Sequence, residues 1–175
     1  MEKSIFEAFA KYNKMTNDQM DNIIKDISEE EWNRKFSSYW KSIHELCSHI
    51  FFGNYTWLNK FRLFVNSKYL SNEYFKKEFN WGELLFKNKD EYLVLRKELD
   101  DKIIVFINEI TNDDLERIMV WIDWEGKEIK KKLGIYVMHM FNHATHHRAQ
   151  VSLYLDMLGK INDFSIFFNR DEEIE

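Results

Sequence analysis

Residues 139–151 read HMFNHATHHRAQV and carry histidines at 139, 143, 146 and 147, out of 6 in the chain. Imidazole is the commonest metal ligand and the side chain that titrates nearest neutral pH. The pairs 139/143 and 143/147 are spaced i, i+4, and 143/146 is spaced i, i+3. Each would put two rings on adjacent helical turns, where they could hold one ion. A pair alone is a weak pattern, since single histidines are more often surface or hydrogen-bonded core residues. A working metal centre also needs a third protein ligand and open positions beside it.

Helical periodicity separates the four. With about 100° per residue and His143 at zero, Tyr136, Met140, Val151, Ala144, Val137 and Leu155 form an apolar stripe centred at about 70°. His147 falls inside this stripe at about 40°, and His143 lies at its edge. His139 and His146 fall further out, at about −40° and −60°. The pair 143/147 therefore ranks first. The third ligand must come from His44 or His49, the only other histidines. Both flank the apolar line of their own helix (Ile43, Cys47, Ile50, Trp57, Phe61), so periodicity does not separate them. Gly53, one turn after His49, leaves open space above an imidazole and favours His49.

Four long helices would position these residues. The apolar spacing predicts helices over about 4–26, 39–63, 88–109 and 133–158, the last closed by Gly159 as a C-cap. Ser28 and Glu31 have capping-box spacing. Residues 64–87 form an aromatic-rich connection with short helical pieces. The run RIMVWIDWEGKEIKKK alternates, turns at Glu125-Gly126 and predicts a β-hairpin. The acidic end, RDEEIE, reads as a solvated tail. Together these make an all-α, four-helix-bundle domain over residues 1–175 with a small β-hairpin before the last helix. The long 64–87 connection permits a crossover, because antiparallel neighbours need only about 2–8 residues.

Composition agrees. The chain has 175 residues, no proline and 5 glycines, so few breakers interrupt its helices. Its net charge of −5 argues against nucleic acid as a partner, which would need a concentrated basic surface. The single cysteine, Cys47, cannot form an internal disulfide and fits a reducing compartment. It reads as a core residue rather than a ligand. No signal peptide and no membrane-length apolar run is evident, so a cytoplasmic location is expected.

The motifs together resemble the DinB family of damage-inducible metalloproteins. NHATHHRAQV resembles its NHxxHHRGQ segment, and SIHELCSHIFFGNYTWLNKF resembles its second-helix motif through Ser42-Ile43, His49-Ile50 and Trp57-Leu58. KYNKMTN, WIDWEGKE and LGKINDFSIFF resemble its first-helix, hairpin and closing segments. The resemblance implies an up-down-down-up bundle, often a homodimer, with His49, His143 and His147 as metal ligands. Ala149 departs from the family's usual glycine. Arg148 reads as a structural ion-pairing residue.

Three neutral imidazoles suit zinc or nickel, and also cobalt, iron or manganese. An ion with open positions could activate water or bind a thiol. The neighbour of His143 is Ala144, so the glutamate base of a zincin protease is missing. The resemblance implies a metal-dependent enzyme, foremost a thiol-dependent S-transferase acting on a small electrophile with a low-molecular-weight thiol. A metal-dependent hydrolase and a non-catalytic, stress-linked metal-binding bundle are the alternatives.

Overall fold

The computed structural model describes residues 1–123 and 125–167. The acidic end expected to be a solvated tail lies outside them. Six helices and one hairpin follow in the order α1 (Lys3–Asp26), α2 (Glu29–Asn33), α3 (Ile43–Val65), α4 (Lys89–Glu109), α5 (Asn112–Glu116), β1 (Ile118–Ile122), β2 (Glu128–Lys132) and α6 (Leu133–Met157). The long helices match the sequence expectation at most ends. α3 differs, starting at Ile43 rather than near Tyr39. Ser42 stops it there, because its side chain accepts a hydrogen bond from the Glu45 amide and satisfies an orphan donor of the first turn. The short α2 forms on the capping box read from the sequence: Ser28 Oγ accepts from the Glu31 amide, and the Glu31 carboxylate accepts from the Ser28 amide. The equivalent box at Thr111 and Asp114 starts α5, which periodicity did not reveal.

Pairwise contacts define the relative directions of the long helices. α1 runs against α4: Lys3 meets Asn108 and Asn112, while Lys89 donates to the Lys25 carbonyl. α1 runs alongside α6, since Phe9 stacks on Phe141 and Asn13 meets Arg148. α3 runs against α6, with Trp57 on Tyr136 and Trp40, before α3, bonded to Tyr154. The resulting order is up-down-down-up. One apolar cluster fills the bundle, including Met20, Ile24, Trp32, Ile43, Leu58, Phe106 and Val151.

The hairpin pairs antiparallel with Val120 opposite Lys130, and Gly126 takes the left-handed conformation its turn requires (φ 79°). β2 runs directly into α6. Tyr136 on the first turn of α6 donates to the Ile129 carbonyl at 2.9 Å, which clamps the hairpin over that end of the helix. No helix among the described residues is long and apolar enough to cross a membrane.

Candidate metal centre

α3 and α6 pack antiparallel along their length, so His49 on one can face His143 and His147 on the other. Their Nε2 atoms converge: His49 to His143 is 3.0 Å, and His49 to His147 is 3.1 Å. The three potential ligand atoms all lie within 4.8 Å of one another. Two nitrogens each about 2.0–2.1 Å from one ion stand about 3.0 Å apart when the angle between them is about 90°. The arrangement therefore fits an ion coordinated on one face by three imidazoles. No other His, Cys, Asp or Glu joins the cluster among the described residues.

Electrostatics favour the ligating form. Burial, and then the neighbouring His147, lower His49 from 6.5 to about 4. Burial, and then His147 and His49, lower His143 to about 3. Burial also lowers His147, against its hydrogen bond to the Gln150 amide oxygen, which raises it. All three rings are thus neutral at pH 7, and a neutral imidazole offers a lone pair without first losing a proton.

Each ring is oriented by a different device. The Gln150 amide oxygen lies 2.6 Å from His147 Nδ1 and accepts its proton, which leaves the Nε2 lone pair facing the centre. Trp40 stacks on His49 with centroids 4.2 Å apart, and Trp81 meets the same ring edge-on at 6.0 Å. His49 Nδ1 is buried without a hydrogen-bond partner, so the indole stack holds this ring in place of an outer hydrogen bond. Gly53 makes room for His143: a Cβ there would lie 2.9 Å from His143 Cε1. The open space expected above an imidazole exists, but the ring that fills it comes from α6 rather than from His49.

The other histidines go elsewhere. His44 is 4% exposed, stacked on Trp32 and 3.0 Å from Asn33 Oδ1, on the side of α3 away from the centre. His139 and His146 are exposed, as the helical wheel ranks them. Cys47 is fully buried, and burial pushes its thiol well above the usual range. Arg148 is buried and structural, although its partners differ from the ion pair expected. It donates to Asn13 Oδ1, Asn17 Oδ1 and Thr145 Oγ1. Asn13 and Asn17 donate in turn to Asp100, which Arg96 neutralises directly.

Periodicity missed Trp40, Trp81 and Gln150. Trp81 lies outside the long helices, where no repeat marks a facing side, and Trp40 falls inside the helix expected over 39–63 but precedes α3 in the structure. Gln150 was accessible in principle, because i, i+3 from His147 places it on the adjacent turn.

The profile of the DinB family matches residues 1–163. The chain is 23% identical over 148 residues to Protein DinB of Bacillus subtilis strain 168, covering 85% of this chain and 83% of that protein. A crystal structure of a DinB-like protein from Bacillus subtilis superposes with a TM-score of 0.63 at 16% identity, covering 93% of this chain and 99% of the other. A DinB-like protein from Bacillus cereus ATCC 10987 gives 0.60 at 15% identity, over 85% and 87% of the two chains. At such identities the structural likeness speaks for the fold alone.

Proposed function

The chain belongs to the DinB family, and on that premise we propose that His49, His143 and His147 hold one divalent cation, zinc or nickel foremost, in a metal-dependent S-transferase. The convergence of three neutral Nε2 atoms, with no fourth His, Cys, Asp or Glu among the described residues, carries the reading. A structural site would be closed by such a ligand, whereas a catalytic one keeps open positions. A bound cation supplies a Lewis acid that favours the thiolate over the thiol at neutral pH.

The chain's own residues then orient and shield. Trp40 and Trp81 wall one side of the triad and lower its access to water. Gln150 keeps His147 in one tautomer. The cosubstrate thiol loses its proton to solvent, its sulfur attacks the electrophilic carbon, and the leaving group departs with the bonding electrons. This needs no protein base. A hydrolase that activates water commonly uses a carboxylate, and none joins the triad among the described residues, which supports thiol over water as the nucleophile. The family resemblance supports a cytoplasmic homodimer.

The test is a conjugation screen with glutathione and bacillithiol against 1-chloro-2,4-dinitrobenzene. Thioether formation that chelator and His49→Ala both abolish is expected. Thioether formation indifferent to both, or hydrolysis in place of conjugation, overturns the reading.

A further inference from the structure

Beside the triad, toward the start of α6, lies a slot of about 170 Å³ lined by Trp57, Trp121, Ile129, Ile135, Tyr136 and His139. Neither the metal centre nor the fold explains its chemistry. Its size is close to the ~150 Å³ that accommodates a benzene molecule in an apolar protein cavity. Its walls are mostly aromatic: Trp57 and Trp121 stand 5.3 Å apart at 61°, and Trp57 stacks on Tyr136 at 5.4 Å. At the side nearest the triad the exposed His139 ring is 5.6 Å from Trp57 and 6.1 Å from the His143 ring. The slot thus begins one ring's breadth from a triad member.

A positive charge stands beside this wall. Lys60 Nζ lies 5.0 Å from the ring centres of both Trp57 and Trp121. Lys60 is half-buried, and burial alone lowers its pKa, with no carboxylate among the described residues raising it again. Two indole faces hold the ammonium in place by cation–π attraction but leave its net charge unneutralised. Gly53, which faces His143, and Lys60 are seven residues apart on α3, about 10 Å at 1.5 Å per residue. That span suits a ring, two or three bonds and an anionic group.

We propose that this slot is the specificity subsite of the metal centre and takes the planar aromatic ring of an anionic substrate, whose acidic group pairs with Lys60. The functional part rests on the triad reading above, while the binding itself does not. An aromatic carboxylate would bury its ring against Trp57, Tyr136 and His139 and direct its far end past His139 to the triad. The reacting group would then be positioned by contacts remote from the chemistry.

Phenylacetate, phenylacetamide and acetate serve as probes, titrated into zinc-treated protein while the indole N–H resonances of Trp57 and Trp121 are followed. Phenylacetate should shift both resonances saturably and acetate should not. Lys60→Met should weaken phenylacetate about fivefold and leave phenylacetamide unchanged. Ile135→Trp, at an exposed lining position, should fill the slot and abolish both ring ligands without unfolding the chain. The same titration on His49→Ala protein separates the two readings, because ring binding should survive loss of the ion. Equal affinity for phenylacetate and phenylacetamide overturns the charge assignment. Binding that ignores Ile135→Trp, or that disappears in His49→Ala alone, overturns the slot.

Discussion

Replacing Gly53 with alanine should separate fold stability from metal affinity. Gly53 lies inside α3 at an ordinary helical φ, so alanine fits the backbone. In a helix interior that exchange stabilises by roughly 0.5–1 kcal/mol. The added Cβ, however, would stand 2.9 Å from His143 Cε1 and 3.1 Å from Nδ1, where ordinary contact begins at 3.4 Å. The imidazole is the movable partner, so it must give way by about 0.5 Å, against a tolerance of about 0.2 Å for a metal–ligand bond. The loss expected is that of a disturbed ligand support, about 10–100-fold in metal affinity, or about 1.4–2.7 kcal/mol. Competition against a chromophoric zinc chelator measures the affinity, and thermal unfolding of chelator-treated protein measures the fold. Gly53→Ala should unfold no lower than wild type while binding zinc more weakly. Zinc affinity within about twofold of wild type would refute the argument, because His143 would then not need the space that glycine leaves.

Three further outcomes follow from the same geometry. Gln150→Ala removes the acceptor for His147 Nδ1 and should cost about tenfold in metal affinity, with little change in the unfolding midpoint of the metal-free protein; an equal loss of both would mean Gln150 acts on packing instead. His49 and His143 titrate well below 6.5 when folded, so the unfolded chain binds more protons between about pH 4 and 6.5. Metal-free protein should therefore lose stability as pH falls through that window, and His49→Asn should flatten the slope; an unchanged slope counts against the buried neutral rings. Asp100→Ala strands the buried Arg96 and Asn17 and should cost about 3–5 kcal/mol in urea unfolding, whereas a loss under about 1 kcal/mol would mean that solvent reaches the network.

The bundle was legible because its long helices bury apolar stripes at a regular period, and the hairpin because the period changes at Ile118. The pair His143/His147 was legible for the same reason. His49 was not separable from His44 by period, since both flank the apolar line of α3. Packing separates them: His44 sits under Trp32, while His49 faces α6. The buried polar network escaped because Arg96 and Asp100, at i, i+4, look like a solvent-exposed pair on a helix surface. Both are buried, with the amides of Asn13 and Asn17 drawn to Asp100 from α1. Trp81 escaped because an irregular segment carries no repeat, and Trp40 because the helix expected over 39–63 enclosed it whereas α3 starts only at Ile43; the path of the chain alone shows that they meet His49.

Three imidazoles sharing one ion is the arrangement on which the rest depends. X-ray absorption at the metal edge of zinc-loaded protein counts them directly. Three imidazole nitrogens at about 2.0–2.1 Å are expected, with oxygen scatterers completing the shell, falling to two imidazoles or to lost metal in His49→Ala. Sulfur scattering from Cys47, a spectrum unchanged in His49→Ala, or a protein that takes up no stoichiometric metal would contradict it.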